Sequence, residues 1–267
     1  MSKKKKQKKS FLVSFLKKVP WVIGFAIIFM ILSLKAVERF PQPLKEGIQG
    51  YLEIVLGQRT SITKLEKITF FPDIYIQMKD LVFSDSTNVA LTNMTIGEVK
   101  AHIPFLNTFT AKRNIYDFEI HKLDALAGVI TPHKIIIDVL DIVPLSEDDE
   151  KGKLFAIGKY AEQPLSMNVR VDHKKTLFGK TAYRVPKHTK FSLTVGDVTL
   201  NTDLINDGKD VWFRNGTLEA NGITQPIKDS SLIRDKAMYD TNIVACLLEH
   251  DYKNTAKICD NYMYKEE

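Results

Sequence analysis

Apolar positions change their period twice along this chain of 267 residues. Val19 to Leu34 is a run of sixteen uncharged residues, VPWVIGFAIIFMILSL, bounded by Lys18 and Lys35. A helix needs ~20 apolar residues to cross the ~30 Å hydrocarbon layer. Flanking lysines snorkel, and Ala36 and Val37 extend the apolar face, so the run predicts a transmembrane helix over residues 19–37 with Trp21 at one interface. Next, Leu44, Ile48, Tyr51, Leu52 and Val55 recur at helical spacing. Pro43 suits a first turn and Gly57 a C′ position, which predicts a short amphipathic helix.

Past Gly57 the period falls to two. Ile74, Ile76 and Met78 alternate with Tyr75, Gln77 and Lys79, and Leu81 and Phe83 continue on a shifted phase, as a bulge at Asp80 would produce. Met94 and Ile96, then Val99, Ala101 and Ile103, form a second run with Gly97 at the phase change. Tyr116, Phe118 and Ile120 alternate with Asp117, Glu119 and His121 in a third. Further strands are expected at Lys134–Val143, Leu165–Val171, Phe191–Leu200 and Val211–Ala220, with turns at Ser84-Asp85-Ser86, Asn206-Asp207-Gly208 and Asn215-Gly216. Such one-sided alternation indicates antiparallel strands. Met238, Ile243, Val244, Leu247 and Leu248 then predict one or two helices within Ser231–Ala256. The expected organisation is a tail over 1–18, a membrane helix over 19–37, a β-rich domain over 40–225 and a helical C-terminal tail over 226–267.

Charge decides the orientation. The net charge is +6, but eight of the 38 basic residues are lysines before Val19, unaccompanied by any acid; the rest leave 30 basic against 32 acidic residues, a net of −2. The basic character belongs to the tail, which argues against nucleic acid as a partner. A lysine-rich flank stays in the cytoplasm, placing residues from about Lys35 onward on the other side.

The order of these elements carries a resemblance. A lysine tail and anchor lead into a helix ending in glycine, then Phe70-Phe71-Pro72 opens the alternation IYIQMKDLVFSD, followed by MTIGEVKAHIPFLN and NIYDFEIHKLDA. Over Pro43 to Ala125 this resembles the N-terminal part of AsmA-like proteins of Gram-negative envelopes. The resemblance implies a mainly β fold, a curved antiparallel sheet whose apolar concave face holds acyl chains, anchored in the inner membrane with its bulk in the periplasm. It implies membrane lipids as partners, with phospholipid as possible cargo, envelope proteins as further partners, and a role in outer-membrane assembly or phospholipid transport. Candidate groove residues are Ile74, Ile76, Met78, Tyr116, Phe118 and Ile120. Neighbouring strands lie ~4.8 Å apart, so seven to ten of them reach ~35–50 Å, and one copy does not bridge an envelope.

Catalytic chemistry is thin. The six histidines form no H-E-x-x-H pair, Gly179-Lys180-Thr181 lacks the first glycine of a P-loop, and neither G-x-S-x-G nor G-x-G-x-x-G occurs. The acidic run Ser146 to Lys153 reads as a solvated loop without the spacing of a calcium site. No catalytic residue, metal or cofactor is therefore expected. Cys246 and Cys259 permit a disulfide closing a 14-residue loop, worth ~3 kcal/mol, or two unpaired thiols, and the sequence leaves both open. A non-catalytic scaffold recruiting partners through an exposed sheet edge is the alternative to lipid binding.

Overall fold

The computed structural model describes residues 28–29, 32–36, 38–39, 41–70, 73–104, 117–129, 131–144, 151–175, 181–206, 210–233 and 243–249. The lysine tail and most of the expected membrane segment lie outside them. No helix among the described residues is long and apolar enough to cross a membrane.

Helix α1 spans Pro41–Leu56. It ends where Gly57, at φ 65°, donates its N–H to Glu53 O at 2.9 Å, the left-handed C′ conformation that favours glycine. Ile48 and Leu52 pack inward as their spacing requires. Tyr51 does not: it is 67% exposed, because α1 lies along one edge of a sheet and meets it on a narrow stripe.

That edge is strand β1 (Arg59–Thr69). The outward backbone groups of an edge strand invite pairing with another chain. Here α1 and the residues before it supply the partners. Glu53 Oε1 accepts the Thr60 N–H at 3.0 Å, Gln49 donates to Thr60 O at 3.0 Å, and Lys45 to Thr63 O at 3.4 Å. Glu38 Oε1 accepts the Phe70 N–H at 2.8 Å.

From β1 the chain folds up and down through β2 (Asp73–Ser84), β3 (Thr92–Pro104), β4 (Asp117–Ala125), β5 (Ile135–Pro144), β6 (Lys151–Tyr160) and β7 (Gln163–Lys175). The far side of β7 pairs with two strands in succession, β8 (Thr181–Arg184) and β9 (His188–Val195). β10 (Val198–Asn206), β11 (Asp210–Ala220), β12 (Ile223–Pro226) and β13 (Ser230–Ile233) complete a 13-stranded sheet in which every pairing is antiparallel. The expected mainly β fold with a large antiparallel sheet is present.

Several expected elements are redrawn. Phe191–Leu200 is not one strand but the middle of a hairpin, β9 turning into β10 at Gly196, φ 57°. Asn215-Gly216 is not a turn: Asn215, at φ 51°, sits inside β11, where the register slips between Asn201 and Asp203 of β10. Ser230–Ile233, within the stretch expected to be helical, pairs with Asp210–Phe213 as β13. The described helix of that stretch is α2, Ile243–Glu249.

The core lies in two clusters on one face. At the β1 end, α1 covers Ile62, Leu81, Phe83, Met94 and Ile96. At the other end, α2 inserts Ile243 and Leu247, both fully buried, onto Leu165, Leu193, Val195, Leu200 and neighbours. Tyr160, also fully buried, ties α2 down: its hydroxyl donates to Leu248 O at 2.5 Å and accepts the His133 N–H at 3.3 Å.

Candidate functional site

The register shows how the apolar positions line up. Met78 stands opposite Val99, Val99 opposite Ile120, and Ile120 opposite Leu140. The same row continues through Ala156, Met167 and Leu193 to Leu200 and Leu218. In the next row Ile68, Ile76, Ala101 and Phe118 are successive partners, and further along Ile142, Leu154, Val169 and Phe191 are.

These rows stay on one face only because the chain changes phase. In β2, Met78 and Leu81 are three residues apart yet both pack toward the same cluster. Between them Asp80 adopts φ 50°, and in β4 Lys122 adopts φ 57° between Ile120 and Leu123. Gly97 lies alongside, where an added Cβ would stand 3.1 Å from the Lys122 Cβ. A left-handed residue at the kink re-aims the alternation.

Burial along the rows is uneven. Ile68 at one side, and Val169 and Phe191 at the other, are buried. Ile76, Ala101, Phe118, Ile142 and Leu154 between them are half-buried, as are Met78, Val99, Ile120 and Leu140. The result is a half-open apolar strip across β2 to β6. Of the six groove candidates, Ile76, Met78, Phe118 and Ile120 stand in this strip; Ile74 pairs with Ile103 one row further on. Tyr116 lies outside the described residues. Val99, Ala101, Leu140 and Ile142 belong to the strip, and Leu65 of β1 adjoins it opposite Met78, but none of the five was among the groove candidates. In β1 the cause is plain: Ile62, Leu65 and Ile68 are spaced by three, which imitates a helix.

The opposite face of β2 to β4 is an ionic ladder. Lys100 Nζ lies 2.6 Å from Glu119 Oε2 and 3.4 Å from Glu98 Oε2, Gln77 donates to Glu98 at 2.8 Å, and His121 Nε2 lies 3.3 Å from Glu119 Oε2. The hydrogen bond from Lys100 holds Glu119 below the usual carboxylate range, and that from Gln77 does the same for Glu98. Asp117 and Asp141 move the other way, pushed up by burial. Two acids with raised pKa beside histidines resemble an acid–base site, but the groove described below is lined by none of these residues.

Cys246, on α2, is disulfide-bonded. Cys259, the other cysteine of the chain, lies outside the described residues. No group of His, Cys, Asp or Glu able to hold a metal ion occurs among the described residues. The chain matches no protein-family model, and no curated protein or solved structure matches it either.

Proposed function

We propose that this chain is a non-catalytic, AsmA-like envelope protein, anchored once in the inner membrane with its sheet in the periplasm, which holds lipid acyl chains on the apolar strip and supports outer-membrane assembly or phospholipid transport. The half-burial of Ile76, Met78, Phe118 and Ile120 between two buried flanks carries this reading. Exposed apolar area on a sheet is covered at ~25 cal/mol per Å2, and acyl chains supply such a cover without a polar partner. Glu38 supports the geometry: its bond to Phe70 N fixes the residues following the apolar run at one end of β1.

Lipid extraction and native mass spectrometry of the full-length chain, after exchange into lipid-free detergent, test it. Wild type is expected to retain phospholipid. Ile76→Asp is expected to lose it while its circular dichroism stays unchanged, because a carboxylate in the strip repels acyl chains. A wild-type protein without lipid, or unfolding of Ile76→Asp, defeats the reading. One observation favours the scaffold alternative: β12 is exposed along its whole length, and an exposed edge accepts a partner strand.

A further inference from the structure

The polar face carries a second feature, independent of the lipid reading. A groove of ≈ 410 Å3 lies over β6, β7, β9, β10 and β11, toward the small end of the ~300–1,000 Å3 usual for small-molecule sites. Its floor is one cross-strand row. Asn168 faces Ser192, Ser192 faces Asn201, and Asn201 faces Thr217, all four lining the groove. Each of these side chains both donates and accepts hydrogen bonds, and none of the four spends that capacity on another described residue.

Beside this floor, Lys153 of β6 stands directly opposite Arg170 of β7. Like charges in that relation destabilise a sheet. Neither has a carboxylate partner among the described residues; the Lys153 ammonium lies 5.8 Å from the Phe155 ring centroid. Lys190, the third cation of the groove, is neutralised by Asp203, whose Oδ1 is 2.5 Å away. Asp203 is 5% exposed and takes a further hydrogen bond from Asn215 Nδ2 at 3.2 Å. Two uncompensated positive charges thus face a row of neutral hydrogen-bonding groups.

We propose that this groove binds a phosphorylated polyol, its phosphate between Lys153 and Arg170 and its hydroxyls on the neutral row. A phosphate monoester carries roughly −1.5 to −2 at pH 7 and matches two cations, whereas a carboxylate matches one. The guanidinium fork of Arg170 fits phosphate oxygens in pairs. Asn168, Ser192, Asn201 and Thr217 supply the directional bonds that separate a polyol from a bare anion.

Calorimetric titration of the full-length protein in non-ionic detergent tests the site, using myo-inositol 1-phosphate, inorganic phosphate, and mixed micelles carrying a phosphatidylinositol monophosphate. Saturable binding of inositol phosphate is expected, about ten-fold or more tighter than inorganic phosphate. Loss of a charged hydrogen bond should weaken it about ten-fold in Lys153→Gln and in Arg170→Gln. Lys153→Arg should keep it, as should Lys159→Gln, an exposed lysine outside the groove. Micelle binding that free inositol phosphate displaces identifies a lipid headgroup as the source, and binding of the free compound alone identifies a soluble one; both support the site. Absence of saturable binding, equal affinity for inorganic phosphate, or unchanged affinity in both glutamine variants overturns it.

Discussion

Leu200 and Met78 stand in one cross-strand row of one sheet, yet Leu200 is fully buried and Met78 only half-buried. Both come from strands that alternate in the same way, and both point to the face that holds the core clusters. What separates them lies outside the strands. Over β7 to β11, α2 lays Ile243 and Leu247 on the sheet, whereas α1 covers the β1 end from Ile62 to Phe83 and leaves the rows of Met78 and Ile76 half-open. Alternation specifies which face is apolar; the helices decide how much of that face is core. The same contrast appears on the polar side, where ion pairs fill β2 to β4 and an uncompensated lysine–arginine pair stands on β6 and β7.

Truncating one side chain in each region tests the difference in cover most directly. Leu200→Ala should cost about 2–5 kcal/mol, the range for a cavity in a closed core. Met78→Ala should cost about 1 kcal/mol, since water already reaches part of that side chain. Equal losses in urea denaturation would mean that the two regions are covered alike. An effect between these two is expected for Tyr160→Phe, which leaves Leu248 O without its donor and should lower stability by about 1–3 kcal/mol in the same measurement.

The smallest effects concern pH, and they have opposite signs in the two regions. Asp203 is held below its ordinary value, first by the Lys190 hydrogen bond. Its contribution is present above the ordinary pKa of ~3.9 and is lost as pH falls through the lower, folded value. Asp203→Asn should therefore lower Tm at pH 7, with the deficit closing in strong acid. Asp117 is pushed up by burial and by the charge of Glu119. Its ionised form is a liability above the raised pKa that disappears as pH falls through it, so Asp117→Asn should raise Tm at pH 7 and lose that advantage on acidification. Melting curves of wild type and both variants from about pH 2 to 8 would show whether the two differences, opposite in sign at pH 7, both shrink toward zero in acid.

Much of the fold was legible where pattern and turn chemistry agreed. The phase change in IYIQMKDLVF pointed to Asp80, which has a left-handed backbone; the expected bulge is absent, because β2 keeps an unbroken register through Asp80 with both β1 and β3. Gly57 predicted the end of α1 for the same physical reason. Three features were hidden. β1 carried a helical spacing, the β9–β10 turn is too short to interrupt a run of apolar residues, and Asn215-Gly216 serves a bulge with the chemistry of a turn. The groove was hidden differently. A near-neutral domain implies no anion site on average, but average charge says nothing about two cations set opposite each other by strand register. Four of the six strip candidates were legible because alternation determines face; their half-burial was not, since it depends on helices distant in sequence.

The side-chain bonds that close β1 have a consequence for assembly. A sheet grows into a filament when each copy offers two complementary edges, one to the copy ahead and one to the copy behind. This sheet has part of one edge occupied by Glu53, Gln49, Lys45 and Glu38, and the other is made of β12 and β13, which both pair with β11. Edge-to-edge contact between copies is therefore directed to the β12–β13 edge, where a two-fold axis would pair like with like.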